Sequence, residues 1–319
     1  MRDAIKDIRQ ELQDNLYHLA FLIGNGVNIY SIGNNDCSWD SILSEAWNGI
    51  SGKTFNNKKG ITLTEFYDIL ELKNSYKNPS ELKRAIVNPI VSMPHTPKHD
   101  TIQNYLEHWG QPVLTTNYDN NINYGLNKYI LNHPLKRHYR AMSDYYPWDR
   151  YYSEKEIINP LSDFAVWHIN GSLDYLRSIK LSFTEYMAQL AFTRTNFLHK
   201  QNEKNDYDNF ETKDQAYWPG YNTWLHIFLN SSLCIIGLSL NEDETFLRWL
   251  LIERKKWIDR KGYKDLKGWY ITTEKDRDMK QHGKRIFFEE LGIKVVKLQN
   301  YADIYEGVLR KDYRQSIQF

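Results

Sequence analysis

The stretch Leu19-Ala20-Phe21-Leu22-Ile23-Gly24-Asn25-Gly26-Val27-Asn28 decides the fold. Five apolar residues in a row leave no polar face, and a glycine ends the run. That pattern suits a strand buried on both sides, as in a parallel sheet. Similar segments recur downstream at Pro112–Thr116, Phe164–Ile169, Leu233–Ile236, Gly268–Thr272 and Ile293–Lys297. Helical spacing separates most of them: Thr101–Trp109, Asn120–Ile130, Phe183–Asn196, Tyr221–Ser231, Glu242–Arg260, Lys284–Leu291 and Tyr301–Arg310. Alternating strands and helices predict an α/β fold with a doubly wound, mostly parallel sheet.

Outside this alternation lie other segments. Ile5, Ile8 and Leu12 have helical spacing. Trp39–Ile50 reads as a helix capped by Ser38. Residues 52–100 show helical stretches at Leu63–Leu72 and Pro79–Val91 and no strand, which predicts a helical insertion. Residues 133–160 and 200–216 read as loops. The expectation is one domain, 1–319, carrying that insertion.

Composition narrows the function. The net charge of +1 gives no electrostatic footprint for nucleic acid or an anionic membrane. Cys37 and Cys234 are the only two cysteines, too few for a four-cysteine zinc site or a disulfide framework, so no metal is expected. No apolar run approaches the roughly 20 residues that span a bilayer. With no signal-peptide pattern at Met1–Asn15, a cytoplasmic location is expected.

In open α/β sheets, ligands bind beyond the carboxyl ends of strands. Four such edges carry small or polar residues: Gly24-Asn25-Gly26-Val27-Asn28, Thr115-Thr116-Asn117-Tyr118-Asp119, His168-Ile169-Asn170-Gly171 and Gly237-Leu238-Ser239. Each has a plain structural alternative. The paired glycines fit a tight turn, and Ile29 stands where a dinucleotide fingerprint has its third glycine. Asn117 and Asp119 fit helix caps, and His168 fits a satisfied buried histidine. Taken as two residues apart on one strand, His168 and Asn170 share a face.

In this order the four edges resemble the sirtuin superfamily. Gly24-Asn25-Gly26 stands for its Gly-Ala-Gly turn, and Thr115-Thr116-Asn117-Tyr118-Asp119 for its Thr-x-Asn-x-Asp segment. His168-Ile169-Asn170-Gly171 stands for the catalytic His-Gly pair, and Gly237-Leu238-Ser239 for the Gly-x-Ser that holds the adenosine ribose. Ser38–Leu43 and Trp269–Val296 look like the zinc-free bacterial branch, whose members commonly destroy NAD in antiphage defence.

The resemblance implies a Rossmann scaffold and NAD as substrate. Gly24 and Gly26 are expected to offer N–H groups to the pyrophosphate. Asn25, Val27, Asn28, Thr116 and Gly171 complete the binding set with Gly237 and Ser239. Asn117 is expected to orient water or a ribose hydroxyl, Asp119 to contact the carboxamide or fix the loop, and His168 to serve as base. Asn170 occupies the position of the family histidine, and its amide does not titrate. A catalytically impaired NAD or ADP-ribose binding subunit is the alternative. Control is expected from homo-oligomerisation or a separate partner such as an ATPase.

Overall fold

The structure is a computed structural model that describes residues 2–34, 36–51, 60–73, 79–131, 142–198, 218–242, 244–276 and 281–310. Strands β1 (Leu19–Ile23), β2 (Val113–Thr115), β3 (Asn127–Ile130), β4 (Arg150–Ser153), β5 (Val166–His168), β6 (Ser232–Ile236), β7 (Gly268–Thr273) and β8 (Ile293–Leu298) form one sheet. Its order is β3-β4-β5-β2-β1-β6-β7-β8. β4 runs antiparallel to both neighbours, and the pairs from β5 through β8 are all parallel. Counted along the chain, the six parallel strands from β5 to β8 stand in the order 3-2-1-4-5-6, the Rossmann arrangement. The order reverses between β1 and β6.

β1 is buried at all five residues. Leu19, Phe21 and Ile23 pack on α1 (Arg2–Asp14), α6 (Pro97–Trp109) and a π-helical turn at Asp303–Val308. Ala20 and Leu22 face α8 (Trp224–Asn230), α9 (Thr245–Lys261) and α10 (His282–Glu290). Two apolar layers on one strand account for its unbroken apolar run. α2 (Gly26–Ile32) and α7 (Phe183–Thr193) complete the sheet's helices. No helix of the described residues is long and apolar enough to cross a membrane.

Three helices form a separate core. α3 (Trp39–Ser51), α4 (Leu63–Lys73) and α5 (Pro79–Val91) bury Ile42, Leu43, Phe66, Tyr67, Leu70, Leu82, Ile86, Val87 and Ile90 together. The same cluster takes in Tyr118, Ile179 and Leu181 from loops at the sheet's carboxyl edge. The helical unit therefore begins at Trp39, ahead of the expected start at 52, because the apolar face of α3 packs on α4 and α5. It ends before Pro97, since α6 packs on the sheet. Ser38 caps α3 as expected, accepting the N–H of Ser41 at 3.2 Å.

Two expectations change. Residues 120–130 do not form a helix: a 3-10 turn at Asn121–Asn123 leads to Gly125, at φ +77°, and then to the edge strand β3. A left-handed glycine ends helical propagation, and β3 finds its partner only in β4, distant in sequence. Residues 133–160 contain β4; of this expected loop, 133–141 lie outside the described residues, as do the loop at 200–216 and the start of the expected insertion at 52–59. Replacing Ser38 with Ala should cost about 1 kcal/mol through loss of the α3 cap, measured as a lower urea midpoint at unchanged slope.

Candidate active-site crevice

A cavity of about 410 Å³ opens where the strand order reverses, beneath the three-helix unit. That is within the range of small-molecule sites. Its floor depends on close backbone contact. The N–H of Gly26 donates to the Gly237 carbonyl at 2.9 Å, and the N–H of Gly24 donates to the Ile236 carbonyl at 3.0 Å. A Cβ on Gly26 would sit 2.6 Å from the Gly237 Cα, and one on Gly237, at φ +69°, would sit 2.4 Å from the Tyr305 hydroxyl. The expected role of these glycines is thereby corrected. Their N–H groups are already engaged, and their smallness lets the β1 and β6 edges meet.

Of the anticipated residues, Asn25, Gly26, Thr116, Asn117, Asn170, Gly237 and Ser239 line the cavity. Gly24, Val27, Asn28, Asp119, His168 and Gly171 do not line it. Val27 packs in the sheet core. Asn28 and Asp119 belong to a buried polar network. Asn28 Nδ2 donates to Asn25 Oδ1 and to Asp119 Oδ2, both at 2.8 Å. Asn28 Oδ1 accepts from Asn121 Nδ2 at 3.2 Å and lies 3.1 Å from His99 Nε2. Asp119 Oδ1 accepts the Asn121 N–H at 3.0 Å. Burial pushes the Asp119 carboxyl up and its hydrogen bonds oppose the shift; burial holds the His99 imidazole down at about 4. The network sets the Asn25 turn against the loop that carries Asn117.

His168 sits behind the crevice. Its Nδ1 donates to the Asn117 carbonyl at 2.7 Å, and its Nε2 lies 3.1 Å from Asn123 Oδ1. Burial lowers the imidazole pKa, although the Asn117 contact and Asp119 work the other way. With Nδ1 bonded to the Asn117 carbonyl and Nε2 facing Asn123, His168, which does not line the cavity, positions Asn117. The alternation that would set His168 and Asn170 on one face stops because β5 ends at His168.

Asn170 reaches the crevice from the loop. It is 4% exposed, and its Oδ1 has no hydrogen-bond partner among the described residues. Gly171, at φ +104°, allows segment 178–181 to cross: a Cβ there would lie 2.4 Å from the backbone of Ser178. The Ser172 N–H donates to Ser178 Oγ at 3.0 Å, and the Lys180 N–H donates to the Asn170 carbonyl at 3.3 Å.

Lys180 was not foreseen from sequence, nor were Trp39, Asp40, Tyr186, Glu244, Asp276 and Tyr301, which also line the cavity. Lys180 is 1% exposed. Its Nζ donates to the carbonyls of Tyr145 and Arg177, each at 3.4 Å, and lies 3.2 Å from the centre of the Tyr145 ring. Burial lowers its pKa to about 7; Glu185 opposes this, while Lys83 and Arg177 add to it. Lys180 follows a Ser-Ile pair and precedes Leu-Ser in a stretch with no motif, so only the crossing at Gly171 reveals it.

A comparison with protein-family models gives no match, and none is found among curated proteins.

Two outcomes test this geometry. Gly171→Ala should lower the melting temperature and displace Lys180, because both the left-handed φ and the Ser178 backbone resist a side chain. Lys180→Met should have a pH-dependent effect. The folded pKa lies below the unfolded value of about 10.4, so the unfolded chain binds more protons between about 7 and 10. The stability contributed by the wild-type lysine therefore rises with pH over that window. The variant should gain most over wild type below pH 7 and progressively less towards pH 10, read from urea midpoints.

Proposed function

We propose that the crevice binds NAD and hydrolyses the bond between nicotinamide and ribose, releasing ADP-ribose. The observation that carries this reading is the pairing of Asn117 and Asn170. These are buried carboxamides from the β2 and β5 edges, lining a crevice at the switch point of a Rossmann-like sheet. A carboxamide offers donors and acceptors together, which suits ribose hydroxyls and a water. Cleaving an N-glycosidic bond passes through an oxocarbenium-like state, so it depends on positioning and polarising such groups. The Oδ1 of Asn170, buried and without a partner among the described residues, is an acceptor that the fold itself leaves unused.

The reading extends the likeness of the four strand edges to the zinc-free sirtuin-like branch. It carries with it a role in antiphage defence, a cytoplasmic site of action and control by self-assembly or a separate partner. Direct nucleic-acid binding is not part of it.

One further reading has its own support. His168 lies behind the cavity with its Nδ1 held by the Asn117 carbonyl, and the amide of Asn170 cannot titrate. These features favour an NAD or ADP-ribose binding subunit with little turnover. Nicotinamide release, followed beside calorimetric titration with ADP-ribose, separates the two. Binding without release selects the second. Under hydrolysis, Asn117→Ala should reduce release by about 100-fold or more, the scale of losing a transition-state hydrogen bond, at nearly unchanged melting temperature. A helix-cap role alone would instead cost about 1 kcal/mol of stability and leave release intact.

A further inference from the structure

We propose that Lys180 is the general base of the crevice, an assignment that rests on the NAD-hydrolysis reading. Hydrolysis needs a group to take the proton of the attacking water. His168 is turned away and Asn170 has no ionisable proton to exchange. Lys180 is the single basic residue among the described residues lining the cavity, with its Nζ donating to the Tyr145 and Arg177 carbonyls. Its backbone is bonded to Asn170, the position where the sirtuin resemblance places the base. Segment 178–181 is held there by Ser178 and by the Tyr118 hydroxyl, which donates to the Lys180 carbonyl at 2.5 Å.

The surroundings suit an uncharged amine. Among the described residues no carboxylate forms an ion pair with Lys180. Glu185, on α7, is paired with Lys83 of α5 at 2.8 Å. Arg177 lies on the preceding turn, the Tyr145 and Tyr146 rings flank Nζ, and Tyr118, Tyr186 and Glu244 face the same part of the crevice. An unpaired buried charge is strongly disfavoured, so the amine sheds its proton more readily. A base near the working pH is the most effective kind.

In the step, the water oxygen bonds to the anomeric carbon of the nicotinamide ribose. The bond from that carbon to the ring nitrogen breaks, and its electron pair stays with nicotinamide. The water proton passes to Lys180 Nζ and then to solvent. NAD and water become ADP-ribose, nicotinamide and a proton. Asp276, just after β7, accepts from the Thr272 hydroxyl at 2.8 Å. Glu244 remains a rival base on the cavity wall.

The test measures nicotinamide release by the full chain from pH 5.5 to 9, for wild type, Lys180→Met, Lys180→Arg, Glu244→Gln and Asn170→His. Wild-type kcat should rise with pH around 7 and level off. Lys180→Met should lower kcat by about 100-fold or more, within the range of a lost general base, while KM changes by less than about threefold. Lys180→Arg should not restore it, because a guanidinium stays charged. Undiminished release by folded Lys180→Met overturns the assignment. So does a wild-type profile that is flat near 7, a measurement independent of how the variants fold. A carboxylate-range inflection abolished by Glu244→Gln moves the role to Glu244. A gain in Asn170→His with no loss in Lys180→Met moves it to position 170. No release from any chain, with ADP-ribose still bound, sinks the hydrolase reading and the base together; release surviving in Lys180→Met sinks the base alone.

Discussion

The approach of two backbones underlies the crevice. At the point where strand order reverses, the turn after β1 lies directly on the turn after β6, joined by the bond from the Gly26 N–H to the Gly237 carbonyl. No side chain fits between them: a Cβ on Gly24, Gly26 or Gly237 would lie 2.4–2.6 Å from its neighbour. Glycine weakens a strand or helix by roughly 0.5–1 kcal/mol relative to alanine. The contact offsets that cost by bringing the two turns together in the floor of the cavity, against the Leu238 side chain and the Tyr305 hydroxyl. Tyr305 packs beneath, its hydroxyl against both glycines, and ties the floor to the last turn of the described chain.

Above this floor the polar residues divide into two layers. Asn25, Asn117 and Asn170 meet the cavity, and Asn28, His99, Asp119, Asn121 and His168 hold two of them from behind. Buried polar groups are costly unless their hydrogen bonds are made. The rear layer is well paired, which makes it rigid. Asn170 is the exception in front: it lines the cavity, and its Oδ1 is buried with no hydrogen-bond partner among the described residues. Such a contrast between satisfied support and an open functional group is the pattern expected of a preorganised site.

The roof comes from a different core. Leu43 and Leu63 line the cavity and also pack in the three-helix cluster, as does Leu181 from the loop next to Lys180. Ile179 and Leu181 thus tie the segment that carries Lys180 to the three-helix core. Burial is the main cause of the lowered Lys180 pKa, and Lys83 of α5 and the nearby Arg177 add to it.

The sequence by itself determined the layered α/β fold. The apolar run Leu19–Ile23 has no polar face, so it had to be covered on both sides, and the alternation after it supplied the covering helices. It also identified the four strand edges, since small or polar residues follow each of these apolar runs at its carboxyl end. What only the tertiary structure decided was direction and partnership. His168 and Asp119 lie in the same motifs as Asn170 and Asn117, yet side-chain orientation set the first pair to support and the second to line the cavity. Strand β3 was illegible because its exposed residues form a strand only against β4. Lys180 was illegible for the same physical reason: its burial, its place beside Asn170 and its altered basicity arise from contacts between segments that local sequence does not encode.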